Sequence, residues 1–371
     1  MDSLFEEYVQ AKRIPGATAL IAQEGEIVYH KAFGWKDIKE ENAQQTTDLF
    51  RIASMTKPVT AVAAMMCYEE GKFELDDPLS KFIPEFSDMM ILDQVNQQDS
   101  TFTAHPAKNP ITIRQLFTHT SGIPYGYDDQ TLNTLFVKAG LSEGFEERDI
   151  LLADNVRKIA ELPIMHEPGE TFTYGLSSDV LGRLIEIWSG QSLDVFFQDR
   201  IFDPLEMKDS HFYLPEEKFE RLPKVYMSSD SGVVPTNYPL INYPIAGAKR
   251  YLSGGADLSC SIYDYYLFCH MLLNEGELKG KRLLTAETVR LMQQTHFEGG
   301  DEDVGLGIGI LNSKTQSSKA RSIGSYSWGG FFATTFWIDP KEELIAILFL
   351  QMYPFADWQI QSEFEDIIYR P

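Results

Sequence analysis

The chain has 371 residues, with 55 acidic against 32 basic side chains and a net charge of −23. Charge of that sign is repelled by nucleic acid and by anionic membrane surfaces, which sets both aside as partners. A hydrophobic fraction of 43% with 12% aromatics describes a folded chain with a large core, long enough for two domains or one elaborated one.

The N-terminal stretch MDSLFEEYVQ predicts an amphipathic, acidic helix. It has no basic n-region and no apolar h-region, so no signal peptide is expected, and no apolar run approaches a membrane span. Cys67, Cys260 and Cys269 each lie in apolar stretches and cannot all pair, which suits reduced core residues in the cytoplasm. Residues 16–37 read as two strands joined at Glu24-Gly25. An apolar helix follows from about Ser54, and long loops are expected at 86–110 and 208–250. Leu132, Leu135, Phe136 and Ala139 form a helical stripe, and FEERDILLADNVRKIAEL predicts another helix starting in its acidic residues. Residues 258–294 carry two helices with a glycine-containing connection. Residues 326–353 give further strands with a turn at Asp339-Pro340-Lys341, and ADWQIQSEFEDIIYR closes the chain as a helix. Strands at both ends with helices between predict one α/β domain built from both termini, with a helical domain inserted.

Two serines compete for a chemical role. Gly140-Leu141-Ser142-Glu143-Gly144 matches G-x-S-x-G, a motif that exposes a nucleophile only on a sharp strand-to-helix turn. A helical stripe precedes it instead, so Gly140 reads as a helix stop and Gly144 as loop. Ser54-Met55-Thr56-Lys57 is the better candidate. Pro58 is tolerated only in a first helical turn, which starts the helix near Ser54. Residues 54 and 57 then share a face, and the helix start aims N–H groups at any anion forming on Ser54. A buried lysine loses basicity by desolvation and can accept the serine proton. Tyr174 lies in a loop just before a helix, where it either packs or relays a proton. Trp328-Gly329-Gly330 reads as the start of a strand, its paired glycines implying close backbone approach.

In order along the chain, S-x-x-K, LFTHTSGIPYG (116–126), PGETFTYGLSSDVLG (168–182), YLSGGADLS (251–259) and WGGFFATTFWIDP (328–340) resemble the serine β-lactamase and penicillin-binding-protein-like superfamily. Within it the chain is similar to the β-lactamase-related, or family VIII, carboxylesterases, over about residues 12–350. The resemblance implies an α/β (α+β) fold: an antiparallel sheet from both chain ends with flanking helices, and a mostly helical insertion. The expected boundaries are 1–80 with 245–371 for the α/β domain and 81–244 for the insertion, the active site lying at their interface. It implies Ser54 as acyl-enzyme nucleophile, Lys57 as base or base partner and Tyr174 as acid–base partner. The backbone N–H groups of Ser54 and Phe331 would form the oxyanion hole, and Trp328, Gly329 and Gly330 would replace the family's K-T-G strand motif. Leu176 stands where Y-x-N has its asparagine, and Trp328 where K-T-G has its lysine. Those changes remove polar handles for an anionic substrate and favour a neutral acyl group.

Tyr125 and Tyr127 are expected in the acyl-pocket wall, and Gly254-Gly255 in a turn behind the site. His119 reads as structural and His166 as a loop residue. No metal-ligand spacing is present, so neither metal nor other cofactor is expected. The function expected is hydrolysis of small-molecule carboxylic esters with short acyl chains. The alternatives are acyl transfer, or cleavage of a β-lactam, D-amino-acid amide or peptide, on the same serine. A non-catalytic binder or sensor is the third reading. The sequence does not fix an oligomeric state.

Overall fold

Glu24 and Gly25, with φ of 51° and 81°, turn strand β1 (Gly16–Gln23) back into β2 (Glu26–Asp37). This two-residue turn has the hand that matches strand twist. The computed structural model describes residues 1–96, 99–127, 129–300, 302–314 and 319–370. Short β3 (Asn42–Ala43) lies beside β2. The C-terminal part supplies β4 (Glu302–Val304), β5 (Gly309–Leu311), β6 (Tyr326–Gly330), β7 (Thr334–Asp339) and β8 (Leu344–Phe349). Among the described residues these strands form one sheet in the order β4-β5-β6-β7-β8-β1-β2-β3. Every neighbouring pair is antiparallel. The two chain ends meet at β1 and β8, from Thr18 opposite Phe349 to Gln23 opposite Leu344.

Both faces of this sheet are covered, so β8 reads LIAILF without polar alternation. Leu344, Ala346 and Leu348 join a core with Phe5 of helix α1 (Asp2–Gln10) and Ile360 and Phe364 of the C-terminal helix α5 (Gln359–Tyr369). Ile345, Ile347 and Phe349 face the larger core. At its centre is α2 (Thr56–Glu69), buried at every position from Thr56 to Cys67, as an all-round apolar helix must be. Helices α3 (Ser177–Ser189) and α4 (Ile262–Leu273) pack in the same core. All three cysteines are free and buried. Among the described residues no helix is long and apolar enough to cross a membrane.

Three local expectations are corrected. The segments read as long loops contain hairpins, Met90–Asn96 with Thr101–Pro106 and Tyr226–Ser229 with Gly232–Pro235. Their strands are largely half-buried or exposed, so they show little apolar alternation. The helix expected from Phe145 begins only at Leu152; before it, Phe145 N–H is taken by Asp257 Oδ1 and Arg148 N–H by Glu146 Oε1 in place of helical carbonyls. Trp328-Gly329-Gly330 ends β6 instead of starting a strand.

The outer core separates scaffold from chemistry. Phe364→Ala is expected to cost about 3–5 kcal/mol, read as a lower urea midpoint. The turnover of each remaining folded molecule should be unchanged.

Candidate active site

Ser54 lies in a single 3₁₀ turn, Ala53–Met55, that runs directly into α2. In this first turn backbone N–H groups have no intrahelical acceptor. Ala53 has φ 45°, in the left-handed region that a residue with a Cβ avoids, at a cost of about 1–3 kcal/mol. The turn is held on all sides. Ile52 N–H donates to Leu258 O at 3.0 Å, Met55 N–H to Ile52 O at 3.0 Å, and the Tyr265 hydroxyl to Met55 O at 2.9 Å. A side chain at Gly330 would collide with Ile52 O, so the glycine lets the end of β6 press against the turn. Gly329 has more room.

Lys57 is 1% exposed. Its Nζ donates to Ser54 Oγ at 3.2 Å, to the Tyr125 hydroxyl at 2.9 Å and to Gly255 O at 2.9 Å. It also lies 4.6 Å from the centroid of the Tyr174 ring. Tyr174 therefore offers Lys57 its ring face, while Tyr125 offers its oxygen. Burial, then the neighbouring Tyr174 and Asp179, push the Tyr125 phenol well above its usual range, so it stays protonated at neutral pH. The Lys57–Tyr125 bond was missed in the sequence reading, where Tyr125 was only a pocket wall. A tyrosine following the Gly-Ile-Pro turn was the available signal.

Ser54 opens into a cavity of about 180 Å³ whose aromatic wall includes Tyr125, Tyr127, Phe145, Tyr238 and Phe331. Phe331 directly follows β6, and its ring stacks on Tyr353 with centroids 3.7 Å apart. That stack holds the Phe331 ring in the wall of the cavity. Trp328 and Gly329 line a second, larger groove of about 1160 Å³, together with Phe172 and Tyr174. Leu176, expected to contact substrate, is fully buried in the core and lines neither space. The peptide at this position turns into α3, which draws the side chain inward.

Ser142 is not on a strand-to-helix turn. It follows the helix Gln130–Ala139, as the pattern predicted, yet it lines the same cavity as Ser54. Its N–H donates to Asn155 Oδ1 at 2.8 Å, its carbonyl accepts from Asn155 Nδ2 at 2.9 Å, and Gly144 N–H reaches its Oγ at 3.4 Å. Burial pushes the nearby Glu146 carboxyl up, but the Arg148 guanidinium overrides this and holds it below its ordinary value. Ser142 thus belongs to a braced loop, and among the described residues its hydrogen bonds involve Asn155 and Gly144, with no lysine or histidine.

His119 is buried, and burial and then Lys57 lower its pKa to about 3. Its carbonyl accepts Thr173 N–H at 2.7 Å, so this neutral residue ties the Tyr174 loop in place. His166 bonds Thr173 Oγ1 at 2.7 Å in the same loop. Gly254 and Gly255 lie behind the site as expected, and the Gly255 carbonyl has the added task of holding Lys57. Among the described residues no group of three or more His, Cys, Asp and Glu side chains could hold a metal ion.

The family model named Beta-lactamase matches residues 1–364, and the chain belongs to that family. It is 31% identical to protein Rv1367c of Mycobacterium tuberculosis, over 94% of this chain and 88% of that one. It is 27% identical to esterase EstB of Burkholderia gladioli, again over 94% and 88%. The solved structure of EstCE1, described as a hydrolase with promiscuous acyltransferase activity, superposes with a TM-score of 0.85 at 24% identity. That match covers 99% of this chain and 97% of the other.

Asp257, behind the cavity, accepts Phe145 N–H at 2.7 Å and Ser253 N–H at 3.1 Å. Burial lifts its carboxyl from 3.8 to about 8. The folded state therefore keeps a proton that the unfolded chain has lost. Stability from this group is full below the unfolded value, falls as pH rises towards 8, and is flat above. Between pH 5 and 8 the urea midpoint of the wild type is expected to fall more steeply than that of Asp257→Asn.

Proposed function

We propose that this protein is a serine carboxylesterase working through an acyl-enzyme on Ser54. The observation that carries this is the contact of Ser54 Oγ with the buried Lys57 ammonium nitrogen, at a helix start that opens into a cavity. Ser54 Oγ attacks the ester carbonyl carbon and its proton passes to Lys57 once that amine is neutral, with Tyr125 holding the amine in place. The negative oxygen of the tetrahedral intermediate meets the N–H groups of Ser54 and Phe331, each worth about 3–4 kcal/mol in such a hole. The C–O bond to the leaving alcohol breaks, and the alkoxide takes a proton from the Lys57–tyrosine pair. Water, deprotonated by the same pair, then releases the acid.

The 180 Å³ cavity is about six water volumes, which suits a short acyl chain in an aromatic wall. The open groove past Tyr174 and Trp328 suits the alcohol part, which varies more among esters. A second reading, transfer of the acyl group to another alcohol, is supported by that same groove, since an acceptor fits where the leaving alcohol departs. The description of EstCE1 as both hydrolase and acyltransferase supports it too. Three free, buried cysteines support a reducing compartment such as the cytoplasm.

Ser54→Ala is expected to lower kcat/KM for p-nitrophenyl butyrate at least about 10³-fold and to abolish fluorophosphonate labelling. Ser142→Ala should retain labelling at Ser54, mapped by peptide mass. Labelling lost in a folded Ser142→Ala variant but kept in Ser54→Ala would overturn this assignment.

A further inference from the structure

Behind Lys57 the fold encloses a carboxylate that this chemistry leaves unused. Asp179 is fully buried in the first turn of α3, where the helix dipole favours negative charge. The Tyr251 hydroxyl donates to its Oδ1 at 3.2 Å, and Asn155 Nδ2 donates to the Tyr251 oxygen at 2.8 Å. Asp179 Oδ2 is buried with no hydrogen-bond partner among the described residues. A Cβ on Gly255 would stand 2.6 Å from that Oδ2 and 3.5 Å from Lys57 Nζ. The missing side chain at 255 is therefore what leaves carboxylate and ammonium facing one another. The three hydrogen bonds of Lys57 go to neutral oxygens, so they satisfy its donors without balancing its charge.

We propose that Asp179 is a positioning residue acting through Lys57: the buried counter-charge that holds Lys57 as an ammonium in the free enzyme and sets the pH at which it can accept the Ser54 proton. This rests on the reading of Lys57 as the base. Lys57 faces Asp179 from α2, Tyr125 from the loop after Pro124, and Tyr251, Ser253 and Asp257 from the segment before the strand Ser259–Ser261. Burial raises the Asp179 carboxyl above its ordinary value, and Ser253, Lys57 and the Tyr251 hydroxyl offset that rise only in part. The same Asn155 that anchors Tyr251 also clamps Ser142, so one buried chain of hydrogen bonds runs from the cavity loop to the counter-charge.

The test is the pH profile of kcat/KM for p-nitrophenyl butyrate from pH 5 to 10, on wild type, Asp179→Asn and Tyr251→Phe. Removing the negative charge makes a protonated Lys57 less favourable, so the acid limb of Asp179→Asn should move down by about one pH unit or more. Tyr251→Phe leaves the carboxyl one hydrogen bond poorer and easier to protonate, and should move the limb the same way by less. If Asp179→Asn does not fold, the Tyr251→Phe shift decides the matter alone. Folded variants, labelled at Ser54 by fluorophosphonate, whose acid limb stays in place or moves up would overturn the proposal while leaving the esterase reading intact. A wild type unlabelled at Ser54 would overturn both.

Discussion

The site is organised around one costly act, the burial of the Lys57 ammonium against Ser54. Removing such a charge from water costs several kcal/mol unless its donors are met and its charge is balanced. Three stretches of chain far apart in sequence are brought together to do this. The loop after the Gly122 turn brings the Tyr125 hydroxyl, the 253–257 segment brings the Gly255 carbonyl, and α3 brings Asp179. Those stretches have to converge for α2 to be buried at all, so the large core and the site are conditions of each other.

The strain at Ala53 follows from the same packing. A left-handed alanine persists only where the surroundings leave it no alternative, and here Leu258, Tyr265 and the glycine-ended β6 fix the residues on either side. With Ser54 held this way, its hydroxyl and N–H need little rearrangement to meet a carbonyl. The stack of Phe331 on Tyr353 holds a ring of the facing cavity wall. In the proposed reaction, donors held rigid in this way would cost no reorganisation.

Much of this was legible in the sequence, for identifiable reasons. Ser54 and Lys57 are three residues apart with Pro58 just after, so a local rule fixes their common face. The apolar run of β8 and the Glu24-Gly25 turn were equally local. What stayed hidden was tertiary. A tyrosine in a loop gives no sign of whether its ring or its oxygen will reach a lysine 68 positions away, so Tyr125 and Tyr174 were given roles by motif alone. Asp179 looks like an ordinary acidic residue at a helix start, and only the empty space at Gly255 reveals what it faces. Leu176 was placed by its motif position, although its apolar character already favoured the core. The hairpin Met90–Asn96 with Thr101–Pro106 escaped because strands without a buried face carry no period-two signal.

The cavity at Ser54 and the groove past Trp328 also bear on what the proposed enzyme would do with an acyl group once it had one. The cavity at Ser54 is small and walled by aromatic rings, with Glu143, Glu146 and Arg148 also in its lining, whereas the groove past Trp328 is wide and edged by Glu170, Glu298, Glu302 and Asp303. In the proposed reaction the aromatic part of the cavity wall would cover the acyl group and leave the attack of a second nucleophile to the groove side. The choice between water and an alcohol there is then a matter of occupancy. In the proposed mechanism Lys57 would treat either nucleophile alike, because it acts on an O–H in both cases. On that reading hydrolysis and transfer would be one mechanism with two acceptors, and the groove lining, more than the catalytic centre, is the part of the chain that would separate them.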